Sequence, residues 1–523
     1  MSKTLKSAAL IFIVLFIPRL WIIFNSSYTF YSDDAIYAIL AKSWTLGNWG
    51  YIFHPTWPPL YPALSAVVAL GTQSFESALR ATSLFFGTAL IIPLFILLRH
   101  TMSQVQAISY SIALALFTPL LTMSVLPLSD SLSVFLIISG LVAVFFAFYS
   151  SSEPKRRLLL LASCIFGLVY LTRTEGTMFF FFTLLYLLTH MMGFRTKKYI
   201  LTVLLFIAVF IITISPYVIA SRVQLGEWSL SPKFSAQIQQ GHSFALNSRG
   251  TTWAQEVTSP KNPDFQSPYF RNGTGYLLER LYYFMRLYPE KQVKWQGVFM
   301  SIFPAWMIVI VLAGAAGLFK SRNIKGNLYL IFILAMAIPV TIFSTPVSDV
   351  RYLVWTIPVF LYFFYLGIGL IVKEKKLAAI FTLILVLTFP GVTTDNLVNP
   401  KKIADNFSKV YNRVELKEAG FWIKDNSLVS VPKVMMRHEG VEFYSEGETI
   451  YIPQISYEEF LSYAGKNNVD FIVAWEDELA GDQKLHTLME NRSEHPGLKE
   501  VYSVKGKSLL IIYTLLAKQR TGE

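Results

Sequence analysis

The chain has 523 residues, of which 54% are hydrophobic and only 15% charged, with a net charge of +12. About a quarter of the residues in a soluble protein carry charge, so this composition excludes an ordinary soluble enzyme. The positive balance is read first as membrane topology rather than as affinity for nucleic acid.

The apolar runs, taken in order, lie at roughly 8–24, 79–98, 104–126, 131–149, 158–172, 177–192, 199–220, 298–319, 327–345, 351–372 and 377–393. Most approach the ~20 residues that cross a bilayer core. The first follows Lys3 and Lys6 and carries no small-residue cleavage site, so it reads as a retained helix. Basic punctuation falls at "EPKRR" (153–157), "RTKK" (195–198), "KSRNIK" (320–325) and "KEKK" (373–376), which the positive-inside rule places in the cytoplasm. The run Pro58–Gly71 opens on Pro-Pro and reaches only ~20 Å as a helix, short of a ~30 Å core. Were it a span, every later basic loop would fall outside. It is therefore taken as juxtamembrane, leaving about 11 spans with the N-terminus cytoplasmic.

This parity faces 25–78, the Asp130 turn, the Arg173–Glu175 turn, the long loop 221–297, the Asp349–Arg351 turn and the tail outward. Residues 1–393 form the expected transmembrane domain. The tail, 394–523, alternates short β-rich runs with helical patterns and is expected to be a small extracytoplasmic α/β domain, ending in a buried strand at "SLLIIYTL". Within the outer loop, 275–295 reads as an amphipathic helix lying on the membrane. The single cysteine, Cys164, rules out a disulfide within the chain.

The outward turns hold the residues able to do chemistry. Asp33 and Asp34 begin "SDDAIYAILAKSWTLG" directly after the first span. Ser32 or Asp33 suits an N-cap and Asp34 suits the helix dipole, while either acid can serve as a general base. Asp130 in "VLPLSDSLSVF" is an N-cap or a second working acid. Arg173 and Glu175 in "YLTRTEGTMF" form a mutual pair, or Arg173 faces an anionic substrate. Arg351 in "SDVRYLVWTIPVF" pairs with Asp349 or clamps a phosphate at the lipid boundary. Arg19 has the same two readings with snorkelling preferred, and His54 reads as a hydrogen-bonded structural group. No His/Cys/Asp cluster has metal-ligand spacing, and no glycine loop of the nucleotide-binding types occurs.

In order, "SDDAIYAILAKSWTLG", "PPLYPALSAVVAL", "ALRATSLFFGTALIIPLFILLR", Asp130, "GLVYLTRTEGTMF" and "RYLVWTIPVF" resemble the GT-C class of integral-membrane glycosyltransferases. The likeness covers nearly the whole chain and points to the branch of the protein O-mannosyltransferases and aminoarabinose transferases. It implies a polyprenyl-phosphate-linked sugar as donor and a lipid, glycan or protein hydroxyl as acceptor, with transfer outside the cytoplasm of a multi-pass cell-membrane protein. By it, Asp33 matches the catalytic aspartate, Asp34 the acid beside it, Asp130 the second acidic position and Arg351 an arginine near the donor phosphate. Arg173, His54 and Arg19 join the expected phosphate-binding set. The family usually has Asp-Glu where this chain has Asp-Asp. It often has Lys or His before Pro-Pro, where this chain has Trp57, with His54 upstream. No cofactor is implied with certainty; a divalent metal, held by Asp33 and Asp130, is one option. A transporter or flippase of lipid-linked sugars is the alternative. It should carry ionisable or broken helices at mid-membrane, whereas here the acids gather at outer boundaries.

Overall fold

The computed structural model describes residues 3–48, 52–54, 56–149, 154–191, 197–226, 228, 294, 296–317, 324–344, 349–392, 399–437, 439–452, 456–479, 485, 487–490 and 495–516. The segment expected to form the amphipathic helix at 275–295 lies almost wholly outside these residues, as does most of the loop 221–297.

The fold is mostly helical, and the chain is a membrane protein. Among the described residues five helices are long and apolar enough to cross a bilayer, within Lys6–Phe24, Phe75–Thr101, Asp130–Ala147, Lys197–Gln224 and Ile324–Ile342. Other apolar helices are shorter, including Leu60–Thr72, Gly176–His190, Met307–Gly317 and Thr356–Ile371. The Pro-Pro segment is thus a helix of 13 residues, about 20 Å long.

Proline explains much of the unevenness. Pro93 falls in the first turn of Ile91–Thr101, where its missing N–H costs least, and the preceding helix ends at Ala89. The run 104–126, expected to be continuous, is two helices, Gln104–Ala115 and Thr118–Val125, with Pro119 in the first turn of the second. Its break is stitched to other segments. Phe117 bridges Val392, Thr118 N donates to Gly391 O at 2.8 Å, and Gly391 N donates to Ile302 O at 3.1 Å. Phe117 is fully buried, so the non-helical backbone is shielded by protein, the condition under which a bilayer tolerates it.

Elsewhere small residues set the packing. A Cβ on Gly314 would collide with the Phe363 carbonyl, and one on Gly367 with the Ile310 carbonyl. Helices Met307–Gly317 and Thr356–Ile371 therefore meet backbone to backbone, and alanine at either glycine would drive them apart.

The C-terminal part carries a small sheet of five strands: β1 (Lys433–Met436), β2 (Glu448–Tyr451), β3 (Phe471–Trp475), β4 (Leu498–Lys505) and β5 (Leu509–Leu515). Their order is β2-β1-β3-β5-β4, parallel across the first three and antiparallel across the last three. Side chains alternate between two apolar layers. Met435, Ile472, Ile511 and Tyr513 face one, and Val434, Met436, Val473 and Ile512 the other. Strand β5 is the terminal "LLIIYTL" run, mostly buried as the partner of both β3 and β4.

Candidate active site

The two adjacent aspartates do different work. Asp34 is 2% exposed and turns back on the segment before it. Its Oδ1 accepts from Ser32 N at 2.8 Å, and its Oδ2 accepts from Tyr31 N at 3.1 Å and from Tyr28 Oη at 2.9 Å. Burial pushes its carboxyl up to about 6, while those three hydrogen bonds oppose the rise. Ser32 occupies the N-cap of helix Asp33–Leu46 but makes no side-chain cap bond. Asp34, not a cap, shapes the turn.

Asp33 has its side chain 23% exposed, with Oδ2 3.5 Å from Arg351 Nη1. Arg351 comes from a 3-10 turn, Val350–Tyr352, that Asp349 begins. Asp349 accepts from Arg351 N at 2.9 Å and stands 3.9 Å from its Nε, so the expected Asp349 pairing exists alongside the Asp33 contact.

Tyr352 continues the array. The Arg351 guanidinium lies over its ring at 5.2 Å and the Arg173 guanidinium at 5.4 Å. Arg173 Nη1 is 2.6 Å from Asp130 Oδ1, and Nη2 is 3.1 Å from Glu175 Oε1. The Arg–Glu pair is thus present, but the shorter contact goes to Asp130. Asp130 is the first residue of helix Asp130–Ala147, and its carboxylate serves Arg173. Tyr37, on the helix that Asp33 begins, shares a 2.8 Å hydrogen bond with Ser129 and so ties the two acidic turns together. Residues far apart in sequence therefore converge: two guanidiniums among the carboxylates of Asp33, Asp130, Glu175 and Asp349.

Two expected phosphate ligands are engaged elsewhere. Arg19 is buried between helices, with Nε donating to Ser124 Oγ at 3.1 Å and Nη1 to Leu15 O at 2.9 Å. An arginine in this part of a span has to satisfy its donors internally, and the Ser124 hydroxyl supplies the acceptor. His54 Nδ1 accepts from Thr56 N at 3.1 Å, its carbonyl accepts from Tyr217 Oη at 2.8 Å, and its ring stands edge-on to Trp57 at 4.9 Å. Burial lowers it to about 4, so near neutral pH it is an uncharged structural group. Trp57, before Pro-Pro, is itself buried.

Sequence reasoning missed three residues. Tyr28 left no local pattern, because its bond to Asp34 depends on how the chain bends. Tyr352 had a faint signal in standing next to Arg351. Arg80 had a clear one, a cation inside an apolar run. It donates to Ser26 Oγ at 2.7 Å, Ser26 O at 3.2 Å and Val125 O at 3.4 Å, and it lies over Tyr28 at 5.6 Å. It braces the chain that leads to the acid pair.

A metal is the remaining question of composition. Asp33 and Asp130, its expected ligands, already face Arg351 and Arg173, so a cation between them would sit against two guanidiniums. Among the described residues no three of His, Cys, Asp and Glu group closely enough to ligate together. This donor set does not fit a divalent cation.

No family model and no curated protein matches the chain by sequence. Solved structures match by shape. ArnT from Cupriavidus metallidurans, bound to undecaprenyl phosphate, has a TM-score of 0.58 and 13% identity, covering 99% of each chain. The Archaeoglobus fulgidus oligosaccharyltransferase in its apo form has a TM-score of 0.60 and 13% identity, over 90% of this chain and 70% of the other. This chain has the GT-C fold. The oligosaccharyltransferase AglB from Archaeoglobus fulgidus, solved with an inhibitory peptide and a dolichol-phosphate, matches with a TM-score of 0.57 and 13% identity, over 91% of this chain and 70% of the other. The oligosaccharyltransferase of the apo structure was also solved with Zn and sulfate. Within the GT-C fold here, Asp33 begins the first helix after the N-terminal span, and Asp130, Arg173 and Arg351 stand at helix ends beside it.

Proposed function

We propose that this protein is a glycosyltransferase that moves a sugar from a polyprenyl-phosphate donor to an acceptor hydroxyl, on the non-cytoplasmic face and with inversion. The observation that carries the reading is Asp33 set 3.5 Å from Arg351. In this reading Asp33 is the base and Arg351 the phosphate-binding cation, paired where two helical elements begin. The GT-C fold, with neighbours solved on undecaprenyl phosphate and dolichol-phosphate, supports the donor class.

In this mechanism the donor phosphate takes Arg351 and releases Asp33 from its ion pair. Asp33 then accepts the proton of the acceptor hydroxyl as that oxygen bonds the anomeric carbon. The bond from that carbon to the phosphate oxygen breaks on the opposite side, and the phosphate leaves with the electron pair, its charge met by Arg351. Arg173 holds Asp130 and the Tyr352 ring in place beside it. Direct displacement from the opposite side inverts the anomeric centre.

The test is a transfer assay with a panel of polyprenyl-phosphate sugars, reading which lipid, glycan or protein becomes labelled. Transfer is expected with at least one donor, and at an unchanged rate after exhaustive chelation, because two arginines already neutralise the site. A rate lost to chelator and restored by Mg²⁺ or Mn²⁺ would overturn that part. A panel with no transfer, combined with movement of intact lipid-linked sugar across vesicles, would favour the flippase reading.

Eleven spans, a cytoplasmic N-terminus and an extracytoplasmic tail complete the proposal. Cysteines substituted at Ser152 and Ser231 check it with a membrane-impermeant thiol reagent. Ser152→Cys is expected to stay unlabelled in intact cells and Ser231→Cys to label; the reverse would break the parity.

A further inference from the structure

The segment that delivers Asp33 is not held by membrane helices alone. It lies in neither helix nor strand, so its backbone donors need partners outside itself. The C-terminal part supplies them. Ser27 N donates to Ser408 Oγ at 2.9 Å, Thr29 N to Tyr411 O at 3.2 Å, and Phe30 N to Tyr444 Oη at 3.0 Å. The Thr29 hydroxyl adds a 3.0 Å bond to Asn412 Oδ1. Phe30 is fully buried, its ring edge-on to Phe443 at 4.9 Å.

The contact reaches the backbone itself. A Cβ on Gly440, at the start of helix Gly440–Ser445, would come within 2.7 Å of Phe30 O and 2.9 Å of Tyr31 Cα. Glycine is what lets this helix sit directly on the chain two residues before Asp33. Glu439 stands at its head. Burial pushes the Glu439 carboxyl up to about 8, its hydrogen bond from Tyr451 opposes the rise, and Glu442 and Asp33 add to it. The C-terminal part therefore comes within electrostatic range of Asp33.

We infer that Tyr444 is a positioning residue for the transfer reaction. Its hydroxyl, by accepting the Phe30 N–H, fixes the Phe30–Asp33 turn so that Asp33 meets Arg351. The C-terminal part is then a component of the catalytic site rather than an appended binding module. Tyr444 touches no substrate and acts through the backbone of Phe30. The inference rests on the glycosyltransfer reading above.

Tyr444→Phe keeps the ring against Phe30 and Phe443 and removes only the acceptor oxygen. It is expected to insert and melt close to wild type, with kcat reduced roughly 10- to 100-fold, the scale of a small misplacement of a catalytic group. The donor KM should not change. Amide exchange over residues 28–34, followed by mass spectrometry, should quicken in the same variant. Tyr444→Ala, which also loses the ring, should lower the melting temperature as well. Wild-type turnover in Tyr444→Phe would overturn the positioning role, and unchanged exchange over 28–34 would overturn the clamp. If wild type transfers no sugar from any donor, the glycosyltransfer reading fails, and the exchange comparison still decides the clamp.

Discussion

Asp33→Asn is expected to lower sugar transfer by about 10²- to 10⁴-fold, the contribution of a well-placed general base. The amide is nearly the same shape as the carboxylate, so insertion into the membrane and the melting temperature should hold. Donor affinity should hold or tighten, because Arg351 no longer has the Asp33 carboxylate 3.5 Å away competing with the phosphate. A steady-state assay with the accepted donor, together with polyprenyl-phosphate binding, separates the two effects. A variant keeping more than about a tenth of wild-type turnover would remove Asp33 from the role of base. Asp34 offers no substitute, since its carboxylate is committed to Tyr28, Tyr31 and Ser32.

The second large effect is on stability. Asp130 and Arg173 have side chains only 7% and 13% exposed, at 2.6 Å. Arg173→Leu would leave the Asp130 carboxylate buried without its cation and Glu175 without its partner. Breaking a buried pair from one side costs about 3–5 kcal/mol. Thermal melts in detergent should show a large drop for Arg173→Leu and a clearly smaller one for the double variant with Asp130→Asn, because the double change removes the stranded charge. Equal drops would show that the pair is not coupled. Transfer should fall in both, since the Arg173 guanidinium also lies over the Tyr352 ring.

Much of this was legible in the sequence because lipid restricts where charge can stand. The outer acids, Arg173 and Arg351 stood out as polar residues at the ends of apolar runs, and they do converge. The family likeness singled out Asp33 of the pair, but what commits Asp34 elsewhere was not legible. That depends on Tyr28, whose hydroxyl reaches Asp34 only once the segment has folded under Arg80. Arg19 shows the opposite limit. Position along a span suggested an outward-reaching cation, but a serine far off in sequence turned it inward. The break at Phe117 escaped for another reason: Leu116, Phe117 and Leu120 keep the run apolar, and hydropathy does not register where hydrogen bonds stop.

That break also bears on how the chain is made. Thr118 N finds its acceptor at Gly391, which in turn needs Ile302. Translation delivers these residues in the order 118, 302, 391. An unmet backbone group in hydrocarbon costs several kcal/mol, so the early segment waits in a costly state until the last apolar helices emerge. If the break lies within the bilayer, as the proposed topology has it, it is closed only when Gly391 has been made. The nascent chain is then expected to depend on the insertion machinery, or on water in its channel, almost until the C-terminal part is synthesised.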